Sequence, residues 1–319
     1  MKSNNIIIID MLSEHGHIPF NKWYLENKVF DGGLFLTCEE LFDFYKNIKL
    51  IGIESFKNNQ YGLKRLIFSL KTLKKIISLK RKKVLFISYD LKFFVIIALV
   101  LKIFKKEVYT IEHNTIPDKF PKKIIHYFLS FLVNKIVFTD YIKSIYPNNK
   151  RVHVINHPVT GIYRSIKAES KTIQKVKNKK FIRVIFCPSF SSNFLSIKNA
   201  AINNPEYLFI TKKTDLKMPN NVFQEGVIED YYDCLVHCDG VFIPFIHNYR
   251  VSNVIYESIG INKVIFTEKS NLYSFLKNKN FNIFLIDEMK DSLFNYQIKN
   301  DIIRYNKDIS NRLNEIFAA

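Results

Sequence analysis

The sequence predicts an α/β fold made of two domains, each with a parallel sheet flanked by helices. Short apolar runs alternate with stretches of helical apolar spacing along the whole chain. A chain of 319 residues is long enough for two domains. The alternation also restarts after a Lys- and Ser-rich segment, so we expect domains at 1–160 and 181–300, a hinge at 161–180 and a closing helix at 301–319 that packs back on the first domain.

The first half contains five apolar runs with strand character. They are residues 6–9, 84–88, 108–111, 135–138 and 152–155. Apolar residues at helical spacing predict helices at 20–28, 39–47, 61–83, 91–104, 121–134 and 140–146. Short apolar runs of this kind, alternating with helices, are typical of buried strands in an α/β fold.

The second half repeats the pattern. Its predicted strands are residues 183–186, 207–210, 241–244, 264–267 and 283–286. Helices are expected around Lys198, at 231–238, from Ser252 onward and at 301–317. Because ligands bind at the carboxyl ends of strands in open α/β sheets, the polar segments that follow these strands are the candidate binding loops.

The chain is strongly basic, with a formal charge of +19, and most of the surplus falls within residues 1–160. Residues 55–89 contain ten lysines and arginines and no acidic residue. The helix predicted at 61–83 is therefore both basic and amphipathic, a pattern that favours binding to an anionic membrane surface. A core helix with a solvated lysine-rich side is the alternative interpretation of the same pattern.

No run in the sequence is long enough to span a bilayer, and no signal peptide is recognised. The longest apolar run, residues 93–101, is far shorter than the roughly twenty residues required. The four cysteines are scattered and predict reduced thiols rather than a zinc site. We therefore expect a cytoplasmic protein, peripheral on the inner face of the cytoplasmic membrane if the basic helix binds lipid.

Residues 239–267 read as strand, loop, helix and strand. Ser252 stands where it could cap the helix, whose free N–H groups and dipole suit a phosphate, and Arg250 adds a full positive charge. Glu257 lies five residues into the helix, where a carboxylate could accept hydrogen bonds from the hydroxyls of a ribose. These roles fit a nucleotide diphosphate, and the alternative is a surface loop with a solvated arginine and glutamate.

Two further strand ends carry histidines. Glu14, His15, Gly16 and His17 follow the first strand, and His113 follows the strand at 108–111. The two imidazoles of the first loop could supply hydrogen bonds to a sugar or its leaving phosphate. A solvent-exposed polar loop and a buried histidine with only a packing role are the alternatives.

The run from Asp239 to Thr267 resembles the donor-binding segment of GT-B glycosyltransferases, in particular the retaining group called family four. Asp239, Pro244, Glu257 and Gly260 match its pattern; the family usually carries a second glutamate eight positions earlier, where this chain has Tyr249. The resemblance is loose but extends in order over most of the chain. It implies a GT-B fold, with two Rossmann-like domains whose parallel sheets face each other across a cleft.

The resemblance also implies roles for individual residues. It gives His113 a contact to the donor sugar, Lys198 a contact to the phosphates and the turn at Gly226 a contact to the base. Adding the loop residues, the predicted donor-binding set is Gly16, Ser189, Lys198, Lys212, Gly226, Asn248, Tyr249, Arg250, Ser252, Asn253 and Glu257. The predicted catalytic set is Glu14, His15, His17 and His113.

Glycosyl transfer releases a diphosphate, which positive groups must stabilise. The sequence contains no Asp-x-Asp pair that would hold a metal, so we expect transfer without a metal or other cofactor, assisted by Arg250, Lys198 and the helix N-terminus. An inverting enzyme would need a base, for which Glu14, His15 and His17 are candidates. In a retaining enzyme His113 and the donor's own phosphate would matter more.

The sequence therefore predicts a glycosyltransferase of bacterial surface polysaccharide biosynthesis. Its expected partners are a nucleotide-sugar donor, a glycan or lipid-linked acceptor and an anionic membrane surface. A non-catalytic GT-B scaffold remains an alternative. A nucleic-acid-binding protein is disfavoured because no nucleic-acid module is recognised, and a nicotinamide enzyme because no G-x-G-x-x-G follows the first strand.

Overall fold

The computed structural model describes residues 5–46, 48–54, 62–113, 115–117, 119–147, 149–162, 165–176, 181–188, 193–295 and 301–318. The chain divides into two units. Unit 1 comprises residues 1–158 together with 306–319, and unit 2 comprises residues 159–305. Each unit is built on its own parallel sheet.

The sheet of unit 1 has seven strands in the described part of the chain. They are β1 (Ile6–Asp10), β2 (Leu34–Cys38), β3 (Lys49–Ile53), β4 (Lys83–Ser88), β5 (Glu107–Ile111), β6 (Asn134–Val137) and β7 (Val152–Val154). Their order in the sheet is β3-β2-β1-β4-β5-β6-β7, and every neighbouring pair is parallel. All five residues of β1 are buried, as expected for a central strand covered on both faces.

Five helices accompany this sheet between its strands. They are α1 (Ile18–Leu25), α2 (Leu63–Ser78), α3 (Leu91–Ile103), α4 (Phe120–Leu132) and α5 (Asp140–Lys143). The connections through α2, α3 and α4 all run in the same direction along the sheet, so right-handed crossovers place these three helices on one face. The buried sides of α2, α3 and α4 share one core with β1 and β4, as this arrangement requires.

Unit 2 contains six described strands and five helices. The strands are β8 (Arg183–Phe186), β9 (Tyr207–Lys212), β10 (Val222–Glu225), β11 (Gly240–Ile243), β12 (Val264–Thr267) and β13 (Ile283–Leu285). The helices are α6 (Lys171–Gln174), α7 (Phe194–Asn203), α8 (Tyr231–His237), α9 (Asn253–Gly260) and α10 (Asn271–Asn278). The parallel sheet has the order β10-β9-β8-β11-β12-β13.

The last helix, α11 (Ile302–Ala318), begins in unit 2, and its residues from Asn306 onward belong to unit 1. Near its end, the Phe317 ring lies 5.2 Å from the Phe30 ring and 4.5 Å from the Tyr109 ring, measured between centroids. Asn27 Nδ2 donates a hydrogen bond to Ser310 Oγ at 2.7 Å. Aromatic packing and hydrogen bonding thus anchor the end of the chain within unit 1.

The predicted α/β fold with parallel sheets is confirmed. Several elements, however, were not predicted or were predicted with the wrong type or the wrong end. β2 and β3 were not predicted, and the helix expected at 39–47 is a 3-10 helix at Glu39–Phe44, with residue 47 outside the described residues. Pairing with β1, a long-range interaction, makes Leu34–Cys38 a strand, and local propensity does not report that pairing. The helix expected to extend to residue 83 ends at Ser78, and α10 was not predicted although Ser270 caps it by accepting from Tyr273 N at 3.2 Å.

Candidate functional site

In unit 1, the loop after β1 is held by a buried aspartate. Asp10, the last residue of β1, accepts hydrogen bonds from Asn21 Nδ2 at 2.8 Å, from Ser13 N at 3.0 Å and from the Ser88 hydroxyl. Ser13 adopts a φ of 50°, which turns the chain sharply after the strand. Sequence analysis missed Asp10 as a site residue, although a carboxylate ending an otherwise apolar strand was a visible signal.

The loop itself carries four of the predicted residues. His15, Gly16 and His17 form one 3-10 turn, which leaves Glu14, His15 and Gly16 exposed and His17 half-buried. His17 Nε2 lies 3.6 Å from Glu14 Oε2, and a Cβ on Gly16 would meet nothing within 4 Å. The loop therefore offers one accessible carboxylate, two imidazoles and open backbone at the carboxyl end of the sheet.

Three histidines from three strand ends meet in unit 1. The rings of His17 and His113 stack with centroids 5.5 Å apart, and the His157 ring lies 6.1 Å from His113. Phe20 lies 4.2 Å and Phe138 4.9 Å from the His113 ring, so aromatic residues fix its orientation. Sequence analysis missed His157, although it follows β7 as His113 follows β5.

The surroundings of His113 keep it neutral. Burial lowers its pKa well below the usual value, and the neighbouring His17 and His157 lower that pKa further. Its Nε2 is buried and has no hydrogen-bond partner among the described residues. His157 Nδ1 donates to the Pro158 carbonyl at 2.8 Å, which fixes the position of its proton. His113 is therefore a neutral imidazole whose Nε2 has no hydrogen-bond partner among the described residues.

Beside His113, Glu112 organises a buried polar network. Its carboxylate accepts hydrogen bonds from Tyr89 Oη at 2.8 Å, from Thr110 Oγ1 at 2.8 Å and from the Thr115 hydroxyl. Lys135, also buried, donates to a backbone carbonyl at 2.8 Å, and desolvation lowers its pKa to about 8. The network anchors the segment that presents His113, a role the sequence did not suggest.

In unit 2, candidate residues follow three adjacent strands. Lys198 is half-buried in α7 after β8, Lys212 is the last residue of β9, and Gly226 is exposed after β10. These three strands are neighbours in the sheet, so their carboxyl ends lie along one edge. Ser189 lies outside the described residues.

The loop after β11 is fastened to the start of α10. Asn248 Oδ1 accepts from Asn271 N at 3.3 Å, Asn271 Nδ2 donates to Asn248 O at 3.0 Å, and His247 O accepts from Leu272 N at 3.1 Å. Tyr249 remains exposed at the tip of the loop. α10, which the sequence did not predict, is thus the support of the predicted donor loop.

α9 begins at Asn253 and directs its N-terminus toward this loop. Arg250 is exposed three residues before the helix, which places a guanidinium near the positive end of the helix dipole. The predicted cap was wrong: Ser252 occupies the N-cap position, but its side chain makes no capping hydrogen bond. The first N–H groups of α9 are therefore not used by that hydroxyl, which leaves them suited to an anion.

Glu257 is a buried carboxylate in the second turn of α9. Its side chain is 4% exposed, and no described residue donates a hydrogen bond to it. Burial raises its pKa to about 7. Burying a carboxylate without a hydrogen-bond donor costs free energy. A ligand whose hydroxyls donate hydrogen bonds to Glu257 would reduce that cost.

The structure thus brings Arg250, Ser252, Asn253 and Glu257 together on one loop and helix of unit 2, and His17 and His113 together in unit 1. His15 does not join the histidine stack and lies edge-on to Phe44 instead, with ring centroids 5.8 Å apart. The roles of all these residues stay predictions.

The described residues contain no group of three or more His, Cys, Asp or Glu side chains arranged to hold a metal ion. All four cysteines are buried and unpaired, in agreement with the prediction of reduced thiols. Among the helices of the described chain, none is long and apolar enough to cross a membrane.

Neither a protein-family model nor a curated protein sequence matches the chain. Solved structures, in contrast, are similar to the chain. HepE from Anabaena in complex with UDP-glucose has a TM-score of 0.69 at 14% identity, over 97% of this chain and 99% of that one. A glycosyltransferase from Rickettsia africae has a TM-score of 0.62 at 12% identity, over 98% and 94% of the two chains.

A UDP-N-acetylglucosamine 2-epimerase from Rickettsia bellii is also similar, with a TM-score of 0.58 at 10% identity over 98% of this chain and 95% of that one. Similarity at such low identity shows the fold alone. The chain has the GT-B fold, with parallel sheets of seven and six strands.

Proposed function

We propose that this protein is a glycosyltransferase that moves a sugar from a nucleotide-sugar donor to a glycan or lipid-linked acceptor. The observation that carries the proposal is Glu257, a buried carboxylate to which no described residue donates a hydrogen bond, one turn inside a helix that Arg250 precedes. A nucleoside diphosphate fits both features, since its ribose supplies hydroxyl donors and its phosphates supply negative charge. The GT-B fold supports the same reading.

The proposed donor is a UDP-sugar. HepE, whose fold this chain shares, binds UDP-glucose, UDP and glucose in solved structures. We infer that the phosphates lie at the N-terminus of α9 near Arg250, that the ribose reaches Glu257, and that the base contacts the turn at Gly226. Lys198 and Lys212, near the same edge of the sheet, supply additional positive charge for the phosphates.

We propose that the transfer needs no metal. The leaving diphosphate develops negative charge as the bond to the anomeric carbon breaks. The Arg250 guanidinium, the Lys198 ammonium and the N–H groups of α9 would meet that charge without an ion between them. The N–H groups of α9 are held in place by the helix before the reaction, so they would stabilise the departing group without reorganising.

The residues of unit 1 serve the reacting sugar and the acceptor in this proposal. The neutral imidazole of His113 would hold a sugar hydroxyl, because its Nε2 has no hydrogen-bond partner among the described residues. If the enzyme inverts configuration, His17, His15 or Glu14 would take the proton of the acceptor hydroxyl. If it retains configuration, the donor's own phosphate would take that proton.

We further propose that the acceptor belongs to bacterial surface polysaccharide biosynthesis and that the protein works in the cytoplasm at the inner face of the membrane. Residues 1–160 carry most of the surplus positive charge of the chain, whose formal net charge is +19. This positive charge supports a location beside anionic lipid. The acceptor would then be carried on a lipid or on a growing glycan close to the bilayer.

Thermal shift measurements test the donor site. The protein is melted with UDP, GDP, CDP, CMP and dTDP, beside the Glu257→Ala variant and the matched control Glu206→Ala. Glu206 is exposed before β9, at the opposite end of that strand from Lys212. Ligands that bind only the folded state raise the melting temperature. A shift with UDP that Glu257→Ala loses and Glu206→Ala keeps is the expected result.

If none of these nucleotides raises the melting temperature, the proposed donor site is wrong and a non-catalytic scaffold is favoured. Product analysis with UDP-sugars then separates the activities found on this fold. Release of UDP that depends on an added glycan acceptor is expected for a transferase, whereas conversion of UDP-N-acetylglucosamine into its 2-epimer would identify an epimerase instead.

A further inference from the structure

Three helices of unit 1 expose an unusual number of large apolar side chains. Phe120, Phe128 and Phe131 of α4 are 75%, 56% and 51% exposed. In α3, Leu99 is 50% and Ile103 70% exposed, and in α2 Leu63 is 71% exposed. Exposed apolar residues are ordinary when scattered, but a group of this size marks an interaction site if it forms one surface.

The three helices do form one surface. α3 packs against both α2 and α4, and all three lie on the same face of the sheet. Phe68 of α2, Ile97 of α3 and Leu129 of α4 point into a single core beneath them. The exposed side chains therefore project from the opposite side of the same layer, which we call the outer helical face of α2, α3 and α4.

The outer helical face is basic without any acidic residue in its helices. α2 contains five lysines and arginines, α3 two and α4 two, and none of the three helices contains Asp or Glu. Some of this charge is neutralised, since Arg65 lies 2.8 Å from Asp90 and Lys71 pairs with Glu54. Five exposed lysines make no ion pair within the described part of the chain: Lys64, Lys74, Lys92, Lys102 and Lys123.

We propose that the outer helical face docks on an anionic lipid bilayer. Phenylalanine and leucine side chains would enter the boundary between headgroups and acyl chains, while the lysines reach the phosphates. Apolar insertion and lysine charge act together here, a combination typical of helices that lie in the membrane interface. The whole layer takes part, which extends the sequence-based expectation for α2 alone.

Charge and chemistry disfavour other occupants. A second copy would bring another nine cationic side chains against the same face, and like charges in contact repel. A nucleic acid would satisfy the lysines but would leave the aliphatic and phenylalanine side chains without a match in its phosphate backbone. An anionic bilayer satisfies both kinds of residue. This docking deepens the proposed membrane location, but it does not depend on the proposed transferase activity.

Vesicle sedimentation tests the proposal with the full chain. Vesicles that contain phosphatidylglycerol should carry the protein down, vesicles of pure phosphatidylcholine should carry much less, and added salt should release part of it. The double variant Phe128→Ser/Phe131→Ser should weaken partitioning by at least about tenfold. The variants Lys74→Gln and Lys123→Gln should each weaken it by about fivefold.

The matched control is Leu195→Ser/Ile202→Ser, which removes two exposed apolar side chains of unit 2, 60% and 55% exposed. This control should bind vesicles as the parent does, and unchanged melting temperatures of all variants exclude misfolding. Failure of the parent to bind phosphatidylglycerol vesicles overturns the proposal, as does undiminished binding by the phenylalanine variant. If sedimentation velocity shows a dimer that only the phenylalanine variant loses, the face is an interface between copies and the proposal is wrong.

Discussion

The imidazole rings of His17 and His113 stack with centroids 5.5 Å apart and an angle of 17° between their planes. One ring follows β1 and the other follows β5, so the fold brings together side chains that lie far apart in the chain. Burial and the two neighbouring histidines lower the pKa of His113 well below its usual value. The stack is therefore a place where a neutral imidazole is available at physiological pH.

Replacing His113 by phenylalanine should separate its chemical role from its packing role. The ring and its contacts to Phe20 and Phe138 are kept, but Nε2, which has no partner among the described residues, is lost. We expect the free energy of unfolding to be unchanged or higher, since a buried unsatisfied nitrogen disappears. Sugar transfer should fall by about 100-fold. His153→Phe, a half-buried position in β7, is the control and should retain activity. Full activity of His113→Phe would contradict a role in transfer.

Glu257 should make stability depend on pH. Its pKa is about 7 when folded, so the folded state holds a proton that the unfolded state releases above its ordinary pKa of 4.5. Stability is then fully present below about pH 4.5 and is lost as pH rises through 7, by about 3 kcal/mol. The Glu257→Gln variant has no carboxyl group at this position, so its unfolding free energy should not fall in this way as pH rises. The difference in unfolding free energy between Glu257→Gln and the parent should therefore grow by that amount from pH 4.5 to pH 8.

Urea unfolding at several pH values measures that difference. Glu206→Gln, an exposed substitution, should show no such trend and controls for the general effect of removing a carboxylate. A constant difference for Glu257→Gln would mean that its carboxylate is solvated or paired in the folded state.

Arg250 should contribute to the reaction more than to the fold. Its side chain is exposed next to the N-terminus of α9, so Arg250→Ala should leave the melting temperature nearly unchanged. If the guanidinium meets the leaving diphosphate, kcat/KM for the donor should fall by about 100-fold to 1000-fold. Arg304→Ala, an exposed arginine of α11, is the matched control. Equal activity of the two variants would remove Arg250 from the proposed site.

Activity should persist when divalent metals are removed. The proposed positive groups, Arg250, Lys198 and the N-terminus of α9, all belong to the protein, so EDTA should not lower the initial rate of UDP release. The assay includes a run with added manganese after dialysis against chelator. Loss of activity in EDTA that manganese restores would show that transfer needs a metal.

Gly260 should tolerate no side chain. An added Cβ would lie 2.3 Å from the Thr160 carbonyl oxygen, closer than real Cβ atoms approach. We expect Gly260→Ala to cost about 1–3 kcal/mol of unfolding free energy, because backbone must move. Gly161→Ala is the control, since a Cβ there meets nothing within 4 Å. A difference below about 0.5 kcal/mol between the two variants in urea unfolding would contradict this close approach.

The sequence by itself determined the fold class and the position of most elements. Apolar runs such as residues 6–9 and 264–267 and the helical spacing of α3 and α4 are local patterns, and local patterns were enough to predict them. The loop at Arg250 and the carboxylate at Glu257 could also be proposed as site residues from the sequence, because both lie on one continuous strand, loop and helix.

Only the tertiary structure decided which elements pack together and which side chains contact each other. Pairing with β1 makes β2 a strand, and the hydrogen bonds of Asp10 to Asn21 and Ser88 shape the loop that carries His17. The addition of His157 to the histidine cluster, the burial that raises the pKa of Glu257, and the outer helical face depend on which elements become neighbours. These relationships arise from packing between residues far apart in the chain, and the local order of residues does not specify which side of an element will be buried or what will lie against it.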